Sequence, residues 1–249
     1  MSTPAHLIVQ PTSPPAAAVV WLHGYGDEPE SWASELSSLR TQNAASVKWV
    51  FLRAERRPQA YAGGVAIPSW GDWREDAMTK VGSKDYDNEQ ILAASVRTDL
   101  GSILTSIVQV DRVPPTRIIV GGFSMGATVA AEAALQWCSR ADASAKLGGL
   151  VMLNGWLLPG ARRAIGDGAA NGLSRVLVCH GTADEQVGYD CGEEAARRLS
   201  EGGANTTFKS FPGDHVSTGF GPCKIAAHEF IEAFLGAASN AAKRRRKGS

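Results

Sequence analysis

The 249-residue chain predicts an α/β fold, a mostly parallel central sheet flanked by helices, on three observations. Short apolar, β-branched runs alternate with longer helical patterns, which is the order that βαβ units impose. Several runs end in turns rich in Gly, His and Asp, and in open parallel sheets ligands bind beyond the carboxyl ends of the strands. One such turn, Gly122-Phe123-Ser124-Met125-Gly126, fits G-x-S-x-G between a strand pattern and an Ala-rich helix pattern.

In chain order, Val19 to Leu22 reads as a strand ending in His23-Gly24-Tyr25-Gly26-Asp27, Glu30 to Arg40 as a helix, and Val47 to Leu52 as a strand. From Arg57 to Tyr86 there is little periodicity, many Gly and Pro, and the aromatics Tyr61, Trp70 and Trp73, which predicts a loop that shapes a pocket. Asn88 to Val108 reads as a helix, and Arg117 to Val120 as the strand entering the Ser124 turn. Met125 to Ser139 is a helix whose Gly126, Ala127, Ala130, Ala131 and Ala134 are small enough to lie close against the sheet. Gly149 to Leu153, Val176 to Cys179 and Thr206 to Phe211 complete the strands, with helices at Gly192 to Gly202 and Pro222 to Leu235. Residues 1–236 are expected to form one domain and 237–249 a basic, unstructured tail.

Composition bounds the function. With 44% hydrophobic and 20% charged residues the chain can bury one large core. The richest apolar run, Leu147 to Leu158, is too short for a membrane span and is broken by Gly148, Gly149 and Gly155. Met1 to His6 has neither the basic start nor the apolar core of a signal peptide, and Ser2 stands where N-myristoylation requires glycine, so a cytoplasmic location is expected. Cys138, Cys179, Cys191 and Cys223 lie far apart without C-x-x-C spacing, which implies neither disulfides nor a metal site. The net charge is zero, but without Lys243 to Lys247 the body carries 20 basic against 25 acidic residues, a net −5. Nucleic acid is therefore not a predicted partner of the domain; the tail itself is a candidate nuclear-import or anionic-surface signal.

A serine hydroxyl is a poor nucleophile unless a base accepts its proton and a third group orients that base. On a strand-to-helix elbow the triad follows in the order Ser, Asp or Glu, His. His228 falls in a helical pattern and His180 within a strand end, whereas His215 opens a loop after the last strand. Asp184 follows the Val176 to Cys179 strand by a few residues; Asp190 suits a helix cap and Asp214 is awkwardly adjacent to His215. The candidate triad is thus Ser124, His215 and Asp184. The oxyanion that forms needs preorganised backbone donors, expected from Met125, the residue after the nucleophile, and from Tyr25 in the glycine-lined turn after the first strand.

These segments, together with Ile67-Pro68-Ser69-Trp70, Trp156-Leu157, His180-Gly181-Thr182-Ala183-Asp184 and Thr207-Phe208-Lys209, resemble the acyl-protein thioesterase/lysophospholipase family, also called the phospholipase/carboxylesterase family. The resemblance implies an α/β-hydrolase fold without a large separate cap domain, cleavage of fatty-acyl thioesters or esters, and no cofactor. It implies the same triad and oxyanion donors, and an apolar acyl channel lined near Ile67 and Trp70, with Trp73 and Trp156 as further candidates. The family usually has Leu where Tyr25 stands and Gln where Met125 stands; both act through the backbone, so the hole survives while the pocket wall changes. The substrates this implies are an S-acylated protein, a lysophospholipid or a small ester, met with at most transient membrane-surface contact. The rival readings are a carboxylesterase or lysophospholipase for small or lipid esters, and a non-catalytic ligand receptor on the same fold.

Overall fold

The apolar runs lack in-out alternation because both faces of the sheet are covered, the condition under which parallel strands become continuously hydrophobic. In a computed structural model describing residues 6–36, 44–73, 78–92, 94–140 and 146–247, the chain forms β1 (Leu7–Val9), β2 (Ala17–Leu22), α1 (Glu30–Leu36), β3 (Val47–Leu52), β4 (Arg56–Pro58) and β5 (Ala66–Pro68). There follow α2 (Ala94–Gln109), β6 (Ile118–Phe123), α3 (Met125–Cys138), β7 (Gly149–Leu153), α4 (Pro159–Gly166), β8 (Val176–Gly181), α5 (Tyr189–Glu201), β9 (Thr206–Phe211), α6 (His215–Thr218) and α7 (Lys224–Lys247).

Seven strands make one sheet in the order β1-β3-β2-β6-β7-β8-β9, parallel throughout except for β1, which pairs antiparallel with β3 at the edge. Alternate residues of each strand serve opposite layers. In β2, Ala18, Val20 and Leu22 pack with Leu104 and Ile107 of α2 and Val129 of α3, while Ala17, Val19 and Trp21 pack with Trp32 of α1 and Ile231 and Leu235 of α7. Each fully buried Val or Leu contributes about 1.5–3 kcal/mol, so this two-sided burial is the main term holding the sheet between its helices. Among the described residues no helix is long and apolar enough to cross a membrane.

The register puts three strand ends side by side: Leu22 of β2 pairs with Gly122 of β6, and Phe123 of β6 pairs with Leu153 of β7. Whatever follows Leu22, Phe123 and Leu153 therefore meets at one edge.

Several elements differ from the sequence expectation for identifiable reasons. The first helix is seen from Glu30 to Leu36, and residues 37–40 of its expected span lie outside the described residues. The second helix begins at Ala94 rather than Asn88, because the Asn88 side chain accepts the Gln90 amide in a turn and Leu92 bridges to Gly71. The Arg57 to Tyr86 loop contains the hairpin of β4 and β5 and is tied to the domain by the Thr79 to Val187 bridge. Helix α4, not expected, starts with Pro159 at its first position, where a missing N–H costs nothing. Helix α5 starts at Tyr189, with Gly188 rather than Asp190 as its cap; Asp190 instead accepts the distant Val81 amide at 3.0 Å. Helix α7 runs past Leu235 to Lys247, through a segment expected to be unstructured but rich in the helix formers Ala, Lys and Arg. The side chains from residue 237 onward, including Lys243 to Lys247, lie outside the described residues.

Candidate active site

At the end of β6 the chain enters α3 through Ser124, whose φ of 56° and ψ of −127° place an L-residue in a strained left-handed region. Such backbone costs on the order of 1–3 kcal/mol and persists only where its surroundings enforce it. Here the Ser124 amide donates to Leu153 O at 2.7 Å, and Ser124 O accepts from the Ala127 amide at 3.0 Å. Two positions either side there is no room for a side chain. A Cβ on Gly126 would stand 2.3 Å from both Leu22 O and His23 O, and one on Gly122 would stand 2.6 Å from Leu22 O. The end of β2 is thus pressed directly against the turn.

His215 reaches the same point from beyond β9. Its Nε2 lies 2.8 Å from Ser124 Oγ and its Nδ1 2.5 Å from Asp184 Oδ2, and all three side chains are buried. The carboxylate accepts from the ring, so Nδ1 carries the proton and Nε2 is the acceptor for the serine hydroxyl. Asp184 Oδ1 in turn accepts the Gln186 and Val187 amides at 2.9 and 2.8 Å. Burial pushes the Asp184 carboxyl up, but hydrogen bonds from His180 and His215, the charge of His215 and the Val187 amide outweigh it and hold the group well below the usual carboxylate range.

A folded-state pKa depressed below the unfolded value of about 3.9 adds stability above that pH, and this is lost as pH falls. Asp184→Asn lacks this term. Its melting temperature is expected to fall less than that of the wild type when the buffer is taken from about pH 4 to about pH 2, below the ordinary imidazole range; parallel declines would contradict the assignment.

Asp214, the sequence competitor for the acid, caps α6 instead, accepting the Val216 and Ser217 amides at 2.9 and 2.8 Å. The cap fixes the local backbone on which His215 sits.

The turn after β2 lies over the serine: a Cβ on Gly24 would be 3.5 Å from Ser124 Cβ. The turn is braced by His23, whose Nδ1 donates to Gly24 O at 2.7 Å and whose Nε2 accepts the Ala54 amide at 3.1 Å. Burial pushes the His23 imidazole down, consistent with the neutral form these two contacts require. The Trp70 ring packs tilted against that of His23, centroids 5.1 Å apart, and its indole N–H donates to His23 O at 2.8 Å. Met125, at the first position of α3, has no intrahelical acceptor for its amide. Among the described residues neither this amide nor that of Tyr25 is hydrogen-bonded.

The remaining predicted residues divide. Ile67 packs beside Gly26 in the same turn. Tyr25 and Trp73 meet edge to face at 5.6 Å, and Trp73 lies 6.2 Å from Trp156, so these three form one aromatic cluster beside the turn. Trp70 and Trp156 are buried.

Two residues at the site are not among the sequence candidates for it. His180 is buried, with Nε2 2.9 Å from Val187 O and 3.4 Å from Asp184 Oδ2. Asn154, directly after β7, donates from Nδ2 to His215 O at 2.7 Å and accepts the Gly181 amide at 3.1 Å through Oδ1. The sequence hint for Asn154 is an amide residue followed by Gly at a strand end, where left-handed backbone is tolerated; its φ is 49°.

Comparison with known proteins gives a consistent picture. A family model described as Phospholipase/Carboxylesterase matches residues 4–231. Acyl-protein thioesterase 1 homolog 1 of Dictyostelium discoideum is 26% identical over 201 residues, covering 80% of this chain and 82% of that protein. Acyl-protein thioesterase 1 of Yarrowia lipolytica is 30% identical over 181 residues, covering 71% and 73%. The crystal structure of Zea mays acyl-protein thioesterase 2 superposes with a TM-score of 0.66 at 26% identity, covering 93% of this chain and 99% of that one.

Proposed function

Because this chain belongs to the phospholipase/carboxylesterase family of α/β-hydrolase-fold serine hydrolases, we propose that Ser124, His215 and Asp184 are its catalytic triad and that it cleaves acyl thioesters, with S-acylated proteins as the substrate class. The observation that carries this reading is the unbroken line from Ser124 Oγ through His215 to Asp184, at 2.8 and 2.5 Å. The thioester preference draws on the acyl-protein thioesterases that the chain resembles along most of its length.

In the first half-reaction Ser124 Oγ gives its proton to His215 Nε2 and attacks the acyl carbonyl carbon. The carbonyl oxygen becomes an oxyanion, met by the backbone N–H groups of Tyr25 and Met125. The imidazolium is paired with Asp184, which stays ionised. As the tetrahedral adduct collapses, His215 returns the proton to the leaving thiolate or alkoxide. Water then gives a proton to His215 and attacks the acyl-serine, releasing the acid and restoring the hydroxyl. The cycle uses only the chain's own groups and water.

A second reading, carboxylesterase action on short or lipid oxyesters, draws on the bulky aromatic cluster of Tyr25, Trp73 and Trp156 beside the proposed oxyanion turn. The two readings separate on a ladder of acyl lengths presented both as thioesters and as oxyesters. The thioesterase reading expects kcat/KM to rise with chain length and to favour the thioester at each length. A maximum at short oxyesters would replace it with the carboxylesterase reading.

A further inference from the structure

We propose that Asn154 is the positioning residue for the catalytic base, setting the backbone of His215 against Ser124; this rests on the triad reading above. Its amide orientation is forced by its partners. Thr218 Oγ1 spends its proton on Asp214 O at 2.6 Å, so it can only accept from Asn154, at 3.0 Å. His215 O, 2.7 Å away, also only accepts. The Gly181 amide, 3.1 Å away, only donates. The nitrogen of Asn154 must therefore face the base loop and its oxygen the end of β8.

The position of Asn154 gives this staple its consequence. Leu153 O holds the Ser124 amide at 2.7 Å, and the next residue holds His215 O. Two consecutive residues at the end of β7 thus fix the backbones of both the nucleophile and the base. The Asp214 cap orders α6 only within itself, and the Ala183 amide to Gly213 O contact ties the base loop to the acid's side. Phe123 packs its ring against that of His215 at 4.9 Å, and Asn154 joins the loop by hydrogen bonds to β7, the strand beside Ser124. It is fully buried, and its left-handed backbone turns the amide toward the loop.

A misplacement of about 1 Å in a reacting group can cost a hundredfold in rate. Asn154→Asp keeps the size of the side chain and its acceptor for Gly181, but its ionised carboxylate turns an acceptor toward His215 O. Asn154→Gly relieves the backbone strain and removes the amide. Each is expected to lower kcat about 10- to 100-fold on a short-chain aryl ester, with KM within about twofold of wild type, at a temperature well below the variant's own melting point. Thr218→Val removes the other acceptor of the same amide and is expected to stay within about threefold of wild type in kcat.

A staple that serves only the fold would lower the melting temperature of the Asn154 variants and leave kcat of the folded protein unchanged. That result in either folded variant, with Ser124→Ala inactive, would overturn the proposal while leaving the triad standing. A fully active Ser124→Ala would remove the triad reading and this inference with it.

Discussion

Ser124→Ala is expected to lower kcat on any acyl substrate by about ten-thousand-fold or more while leaving the melting temperature equal to or above that of the wild type. The rate loss follows from removing the hydroxyl oxygen that lies in hydrogen-bond contact with His215 Nε2 and can attack a carbonyl. The residual rate would come from the oxyanion donors alone. The stability follows from what the hydroxyl does not do: Ser124 makes its backbone contacts to Leu153 and α3 through N and O, and its side chain does not cap the helix. A serine kept only to start α3 would behave oppositely, losing about 1 kcal/mol of stability and little rate. Parallel measurement of turnover and thermal unfolding separates the two.

Gly126→Ala is the second large effect. Its new Cβ would meet Leu22 O and His23 O at 2.3 Å, both backbone atoms that no rotamer change can move aside. Relief requires β2 and α3 to part by on the order of 1 Å, and overpacking of this kind costs about 3 kcal/mol. The displaced atoms begin the turn that carries Tyr25, so the separation also opens the proposed oxyanion hole. Activity is therefore expected to drop at least a hundredfold even at temperatures where the variant remains folded, since losing a single oxyanion donor costs about that much. A folded Gly126→Ala with wild-type kcat would show that the turn tolerates the shift and that Tyr25 is not a donor. Chemical denaturation gives the stability term, and steady-state kinetics gives the other.

The central strands were readable in the sequence because both their faces are buried. Gly149 to Leu153 has the same limits in the sequence reading and in the structure, and so does Thr206 to Phe211, although that strand forms the edge of the sheet and is only partly buried. Strand β1 escaped notice because three residues at an antiparallel edge carry no periodicity. The hairpin of β4 and β5 was hidden by Pro58 and Pro68 and by the turn-rich segment between its strands. Helix α4 spans barely two turns with Gly160 and Gly166 inside it, too little for a helical pattern to stand out.

The candidate site divides along similar lines. Ser124, Asp184 and His215 each end or follow a strand and carry chemistry that a sequence can display. Asn154 could not be found that way, since its partner His215 lies 61 positions away and the contact is to a carbonyl, which every residue has. For Trp70 the resemblance implies a place near the acyl channel, while the contact of its indole N–H with His23 O, 47 positions away, is seen only in the fold. Side chains that act on catalysis through another residue's backbone are visible only once the strands are aligned.

The central claim is that the acyl group passes through Ser124. It is tested most directly by mixing the protein with an activated acyl ester, quenching in acid during the pre-steady-state burst, and mapping the acylated peptide by mass spectrometry. A nucleophilic Ser124 predicts one added acyl group on that residue, absent from Ser124→Ala and accumulating more slowly in His215→Ala. Acylation of a different residue, or full turnover with Ser124 unmodified at every quench time, would contradict it.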